Sequence, residues 1–196
     1  MKILSALAGL ASLLVFTINA HAQKIKVIEG NIDVIKAETS LNFEFTYDNM
    51  KVGKFDKEED YVAQKTADYN KKEAGRGDAW AKKWVDDRQE MFEPNFEELF
   101  VKYSGKTRNK DAKYTLIFKT TFTEPGFLVG GPIHKFAEIN GELWIVETAN
   151  VNNVIAKISV DKALGRTFGN FDYDTGLRIS EAYSDAGKAL GEFFKK

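Results

Sequence analysis

Beyond its first 22 residues the chain offers one candidate for a catalytic histidine, His134. As the general base of a hydrolase, His134 would need a nucleophile and an orienting carboxylate within hydrogen-bonding reach. The chain carries neither a G-x-S-x-G nor an H-E-x-x-H motif, and one histidine does not form the usual His-rich zinc site. His134 follows Gly130-Gly131-Pro132, which predicts a loop. We therefore assign no catalytic residue, and an exported hydrolase with a carboxylate and histidine site near His134 is the alternative function.

A second candidate chemistry is calcium binding in residues 170–181. Asn170, Asp172 and Asp174 alternate along the chain, and Glu181 follows eleven residues after Asn170, which resembles the ligand spacing of a calcium loop. Thr175 stands where such a loop needs a glycine for its sharp turn. Asp174 or Thr175 as the cap of a following helix explains the same residues without an ion. We therefore assign no metal ligand and no cofactor.

Two short patterns could mediate recognition. Arg76-Gly77-Asp78 is a tripeptide that some integrins bind, but a helix break followed by a capping aspartate accounts for it. Trp80 and Trp84 stand four residues apart and could form a sugar-binding or partner-binding platform. Aromatic residues at helical spacing are more often part of a core, and we predict a core position for both.

Paired carboxylates are the remaining catalytic possibility. Glycosidase chemistry needs two carboxylates about 5–10 Å apart in a cleft. The acidic pairs of this chain fall in segments with helical patterning and are predicted to lie on solvated helix faces; they are Glu58-Glu59, Asp86-Asp87 and Glu97-Glu98.

The strand around which the fold is predicted to form covers residues 113–122. Its apolar side chains alternate with lysine and threonine, which indicates one buried and one wetter face. The same alternation predicts a strand over 41–47. Residues 136–148 and 154–160 are predicted to form a hairpin with its turn at 150–153. Residues 24–35 are predicted to form a small hairpin or an edge arm.

The helical part of the chain is predicted over residues 57–105 and 175–194. Asp56 and Glu59 have the spacing of a capping box for a helix over 57–74. Gly75 and Gly77 break this helix, Pro94 kinks or restarts its successor, and Gly105 ends it. The last helix carries alanines and large apolar residues on one face.

These elements predict a single α+β domain over residues 23–196. A mixed or antiparallel sheet of about four to five strands is expected, with a long kinked helical region and a C-terminal helix packed mainly on one face. Strands and helices follow one another without βαβ alternation, which favours this class.

The first 22 residues have the pattern of a secretory signal peptide. Lys2 precedes an uncharged, mostly apolar stretch, and Ala20-His21-Ala22 is a cleavage site of the A-x-A type. The sequence therefore predicts a periplasmic or secreted protein without a transmembrane segment after cleavage. The chain has no cysteine, which excludes disulfides, thiolate metal sites and a lipoprotein anchor. Its net charge of −1 gives no electrostatic reason to expect nucleic acid as a partner.

Three segments resemble uncharacterised secreted proteins of Bacteroidota: KYTLIFKTTFTEPGF, ELWIVETANVNNVIAKISV and RISEAYSDAGKALGEFF. The order of elements over residues 41–194 also resembles the small α/β domain of the Tol-Pal propeller protein and the curli secretion lipoprotein. The chain lacks the lipobox cysteine and the propeller of those proteins. The resemblance implies a non-catalytic accessory protein of the cell envelope and supplies no site residues.

The sequence thus favours an exported, non-enzymatic protein that binds another envelope protein. An exposed apolar patch or an uncovered sheet edge would be typical of such a binding protein. A deep pocket that joins His134 to two or more carboxylates would be typical of the hydrolase.

Overall fold

The computed structural model of the protein describes residues 23–128, 134–166 and 174–195. The predicted signal peptide lies outside these residues. Helices and a mixed sheet confirm the α+β class. The strands are β1 (Lys24–Gly30), β2 (Ser40–Thr46), β3 (Lys51–Val52), β4 (Thr107–Arg108), β5 (Tyr114–Glu124), β6 (Phe127–Leu128), β7 (His134–Lys135), β8 (Ala137–Glu147) and β9 (Asn150–Gly165).

Five α-helices and one π-helical segment accompany these strands in the described part of the chain. The helices are α1 (Asp33–Lys36), α2 (Glu58–Asn70), α3 (Arg76–Asp87), α4 (Glu93–Ser104) and α5 (Thr175–Lys195). The π-helical segment, Arg88–Phe92, joins α3 directly to α4. No helix of the described residues is long and apolar enough to cross a membrane.

The main sheet has seven strands, more than the four to five predicted. Its order is β1-β9-β8-β5-β2-β4, and β3 also pairs with β5. Strands β6 and β7 form a separate two-stranded ribbon. The prediction missed β3, β4, β6 and β7 because a strand of two residues is too short to show an alternating pattern.

The predicted central strand is confirmed as β5, which lies between β2 and β8. The face of β5 that was predicted to be solvated is partly buried. Thr115 on this face is buried, and its hydroxyl oxygen lies 2.9 Å from that of Thr148. The register with β8 shifts between Thr120 and Phe122. Such a bulge re-aims the side chains that follow it, and Phe122 lines a cleft at the end of the strand.

The helical region connects two parallel neighbours, β2 and β5. It is therefore one parallel crossover, and the expectation of no βαβ connection was wrong. The α-helical and π-helical segments between them, α2 through α4, all belong to this connection. A parallel pair needs a long crossover to return the chain to the same end of the sheet.

Helices α4 and α5 cover one face of the sheet, as predicted. Phe96 of α4 packs against Phe45 and Phe118, with ring centroids 5.4 and 4.9 Å apart. Gly187 of α5 lies against α4, since a Cβ atom there would stand 2.2 Å from the carbonyl oxygen of Phe96. This close approach joins the two helices into one layer.

Several predicted helix and turn boundaries were wrong. Lys57 occupies the N-cap of α2, and Asp56 instead pairs with Lys51. Asp78 lies inside α3, whose first turn is held by Asn70, because the amide of Gly77 donates to its side chain over 2.7 Å. The β8–β9 turn is Thr148-Ala149, and residues 150–153 are already part of β9. Of the two alternatives predicted for residues 24–35, the edge arm is confirmed and the hairpin is wrong, because β1 is an edge strand and is followed by the start of α1.

Candidate functional site: an aromatic cleft edged by lysines

A cleft of about 560 Å³ opens at the end of β5, between the start of α2, the β3–α2 connection and the β6–β7 ribbon. We call it the Phe127 cleft. Its volume lies within the range of ligand-binding pockets. Its apolar lining residues are Val52, Phe55, Tyr61, Phe122, Pro125 and Phe127.

Two tight turns build the walls of the Phe127 cleft. In the first, Val52 and Phe55 exchange two backbone hydrogen bonds of 3.0 and 2.9 Å, and Gly53 between them has a φ of +54°. In the second, Gly126 has a φ of +65°, and a Cβ atom there would lie 2.4 Å from the carbonyl oxygen of Lys135. The φ of Gly53 favours glycine and the close approach at Gly126 requires it, so the shape of the cleft is specified locally.

The second wall is anchored from the core by Arg178 of α5. Its Nε donates to the carbonyl oxygen of Pro125 over 3.2 Å, and its Nη2 donates to Gly126 over 3.4 Å. Arg178 is 5% exposed, so this link runs through the protein interior. The wall is therefore held by α5 as well as by its own turn.

The apolar floor of the cleft is not fully covered. Tyr61 is 7% exposed and Val52 is buried, whereas Phe127 keeps 46% of its surface exposed. The rings of Phe55 and Tyr61 meet edge to face at 5.7 Å. A large aromatic side chain half open to water beside other apolar side chains is typical of a binding surface.

Three lysines and one glutamate edge the cleft: Lys54, Lys65, Lys135 and Glu124. Glu124 and Lys135 form an ion pair of 2.6 Å. Within the described residues, neither Lys54 nor Lys65 has a carboxylate partner, and each ammonium instead lies over an aromatic ring. The distances are 5.4 Å from Lys54 to Phe55 and 5.8 Å from Lys65 to Tyr61. The edge therefore carries an excess of positive charge.

The hydroxyl of Tyr61 completes the polar part of the cleft. Burial raises the pKa of Tyr61, and Tyr69 and the Glu124 carboxylate raise it further. The phenol is therefore protonated at neutral pH and is a hydrogen-bond donor. Among the described residues it makes no hydrogen bond, so this donor is available to a ligand.

His134 lies next to this cleft and does not line it. It is exposed in β7, and its ring centroid is 4.9 Å from that of Phe136. Its neighbour Lys135 lines the cleft, and successive residues of a strand point to opposite faces. The structure therefore does not bring His134 together with Glu124, and the hydrolase stays a prediction.

The acidic pairs are not simply solvated, contrary to expectation. One member of each pair is largely buried and bound to a cation: Glu58 to Arg88, Asp87 to Lys83, and Glu97 to Arg108. Burial raises the pKa of Glu97, and the nearby Arg108 opposes this. Patterning missed these pairs because their partners lie on other elements or one helical turn away.

A polar network under the π-helical segment was also missed. Arg88 lies 4.1 Å from the ring centre of Tyr47, and the Tyr47 hydroxyl donates to Glu93 over 3.2 Å. Glu58 accepts hydrogen bonds from both Arg88 and the Trp84 indole. An open, polar cavity lies beside it. Arg88 pairs with Glu58, and Tyr47 and Trp84 donate to the carboxylates of the network, which indicates a structural role.

The tryptophan prediction is confirmed in its main part. Trp84 is 5% exposed and belongs to the core, and Trp80 is partly buried and packs against it. A small cavity of about 200 Å³ borders both rings, but Lys83 and Asp87 already pair inside it. The arrangement favours core packing over a free sugar platform.

The other short motifs are placed as follows. Residues 170–173 of the calcium candidate lie outside the described residues, and Asp174 accepts a hydrogen bond of 2.7 Å from the amide of Gly176 at the start of α5. Arg76-Gly77-Asp78 forms the first turn of α3, with Gly77 packed against the carbonyl of Thr66. Within the described ranges, no cluster of three metal-ligating side chains occurs.

No protein-family model matches the chain, and no curated protein matches it. Among solved structures, the PelC dodecamer from Paraburkholderia phytofirmans is similar to it, with a TM-score of 0.42 and 7% identity over 89% of this chain and 98% of that chain. A point variant of PelC from the same organism has a TM-score of 0.36 and 8% identity over 84% and 97% of the two chains. A likeness at this level carries no argument about ligand, partner or assembly. The resemblance to the Tol-Pal and curli proteins stays a prediction.

Proposed function

We propose that this protein is an exported, non-enzymatic accessory of the bacterial cell envelope that docks a segment of another envelope protein in the Phe127 cleft. Export rests on the signal-peptide pattern of residues 1–22. The observation that carries the proposal is Phe127 itself, 46% exposed in a cleft that is also lined by the buried Tyr61 and the partly buried Phe55 and Phe122.

The chemistry of the cleft favours a protein segment as its occupant. Interface energy concentrates on a few aromatic anchors that fit apolar pockets, and an aromatic floor next to unpaired cations suits a chain with both apolar and acidic side chains. The cleft is wide open to solvent and is edged by backbone turns on two sides. An extended polypeptide can follow such a surface.

Site-specific photocrosslinking tests the docking proposal. A photoreactive phenylalanine analogue replaces Phe127 in the full chain, and the matched control carries it at Val151, which is 50% exposed at the far end of the sheet. We expect one discrete crosslinked protein from position 127 in cells of the native host, and none of it from position 151. Mass spectrometry of the adduct should identify a segment with apolar and acidic residues.

Three outcomes contradict the docking proposal. Equal crosslinking from both positions would show that Phe127 is not a specific contact. Adducts with lipid or glycan alone would assign the cleft to another class of occupant. No adduct at position 127, in a chain whose fold is confirmed by circular dichroism, would remove the cleft as a docking site.

A further inference from the structure

We infer that the Phe127 cleft recognises a carboxylate of the docked segment, an aspartate or glutamate side chain next to an apolar residue. The carboxylate is held by Lys54, Lys65 and the Tyr61 hydroxyl, and the apolar neighbour lies on Phe127. This inference rests on the proposed docking function and adds the chemistry that selects the partner.

The cleft carries uncompensated positive charge. Glu124 is its one carboxylate, and it is already satisfied by Lys135 over 2.6 Å and by the amide of Gly126 over 3.1 Å. Lys54 and Lys65 have no carboxylate partner among the described residues. An incoming anion therefore finds two uncompensated charges, whereas an incoming cation finds none.

Tyr61 is more than nine-tenths buried and lines the cleft. Its hydroxyl has no hydrogen-bond partner in the described part of the chain. The hydroxyl oxygen itself is not fully buried, so a ligand acceptor in the cleft can take its hydrogen bond in place of solvent. The positions of Tyr61 and Lys65 on α2 are four residues apart, so both side chains share one helix face.

The donors that line the cleft favour a carboxylate over a phosphate. The lining holds two unpaired lysines and one phenol, each of which donates from a single centre, and it holds no arginine. Lysine also binds phosphate as a point charge, but bidentate recognition of phosphate uses the planar fork of arginine. Single donors beside an aromatic floor suit the two oxygens of a carboxylate on an apolar body.

The test uses three small probes that share a phenylpropyl body: 3-phenylpropionate, 3-phenylpropanamide and 3-phenylpropylamine. Binding to the full chain is followed by the backbone amide NMR signals of Gly53 and Gly126, which flank the cleft. We expect the carboxylate to bind about fivefold to tenfold more tightly than the neutral amide, and the ammonium probe to bind most weakly. Inorganic phosphate alone should shift neither signal at the same concentration.

Variants tie the preference to the named residues. Lys54→Gln with Lys65→Gln should reduce carboxylate binding to the level of the amide and leave amide binding unchanged. The control pair, Lys24→Gln with Lys26→Gln, removes the same charge from exposed positions on β1. It should leave the affinities for the carboxylate and the amide unchanged. Tyr61→Phe keeps the ring and should weaken both the carboxylate and the amide, because an oxygen of each probe accepts from the phenol, with a loss of about threefold to tenfold for the carboxylate.

The outcomes separate this inference from the docking function. Equal affinity for carboxylate and amide, an unchanged preference in the Lys54 and Lys65 variant, or no carboxylate binding at all overturns the inference, even where crosslinking from position 127 succeeds. A shift by phosphate as large as that by the carboxylate also overturns it. Carboxylate selectivity without any protein crosslink would instead contradict the docking function and indicate a site for a small organic acid.

Discussion

Buried charges in this protein are stabilised by contacts that join distant parts of the chain. Lys106 is 6% exposed, and its ammonium donates to the carbonyl oxygens of Ile35 over 2.8 Å and Glu38 over 2.7 Å. The Ile35 carbonyl is in the last turn of α1 and also accepts from the amide of Glu38, which lies just beyond the helix. Lys106 therefore closes that helix end from the start of β4.

Asp185 on α5 shows the cost of a buried carboxylate. Burial raises its pKa, although the amide of Leu164, which donates to it over 3.2 Å, and the nearby Arg166 and Lys188 oppose this. Because the pKa in the folded state lies above that of the unfolded chain, the folded protein favours the protonated form. The stability that this group contributes is full below the unfolded pKa and is lost as the pH rises through the folded pKa.

Asp185→Asn should therefore change the pH dependence of stability. The amide oxygen can still accept from Leu164, so we expect equal melting midpoints near about pH 3 and a higher midpoint for the variant near about pH 7. Thermal melts across this range measure the difference. Asp161→Asn, at an exposed position, should show no such divergence. A constant offset between Asp185→Asn and the native protein at every pH would contradict the argument.

At the scale of elements, the contact between α4 and α5 depends on glycine. Gly187 and Gly191 both face α4, and Cβ atoms there would stand 2.2 Å from the oxygen of Phe96 and 2.7 Å from that of Phe100. Two glycines on one helix face let the backbones approach more closely than any side chain allows. The bulky aromatic residues of α4 can then reach the sheet.

Gly187→Ala tests this close contact. Alanine favours a helix by about 1 kcal/mol over glycine, so helix propensity alone predicts a gain. We expect instead a loss of about 1–3 kcal/mol in the free energy of unfolding, because the methyl group forces the two helices apart. Urea denaturation measures it. Glu192→Ala on the exposed side of α5 is the control, and a stabilised Gly187→Ala variant would refute the proposed contact.

At the scale of the whole molecule, α5 connects the core to the Phe127 cleft. Arg178 lies among the buried residues of α5, and its guanidinium also contacts the Thr175 hydroxyl over 3.1 Å. The same side chain reaches the carbonyls of Pro125 and Gly126 in the cleft wall. Cleft shape and core stability are therefore linked.

Arg178→Met should lower the stability of the fold and weaken ligand binding in the Phe127 cleft. The buried carbonyl of Pro125 would lose a donor, and we expect a loss of about 1–3 kcal/mol in the free energy of unfolding together with weaker binding of 3-phenylpropionate. Denaturation and the amide signal of Gly126 measure the two effects. Lys110→Met, at an exposed position, is the control. Loss of stability with unchanged probe binding would show that the wall holds its shape without Arg178.

The sequence alone determined the elements whose patterns are long. Alternation over eleven residues identified β5, and helical spacing over about twenty identified α5, because repeated apolar positions report which face is buried. Glycine also marked the end of a helix correctly at Gly105, the C-cap of α4, where φ is +73°. The α+β class followed from the order of these elements.

Only the tertiary structure decided the Phe127 cleft. Its residues come from segments near positions 52–65, 122–127 and 135, and no short pattern joins them. The unpaired state of Lys54 and Lys65 and the burial of Tyr61 depend on neighbours that are distant in sequence. Periodicity reports one element at a time, whereas a site formed where a bulge, two glycine turns and a helix start meet is set by their packing.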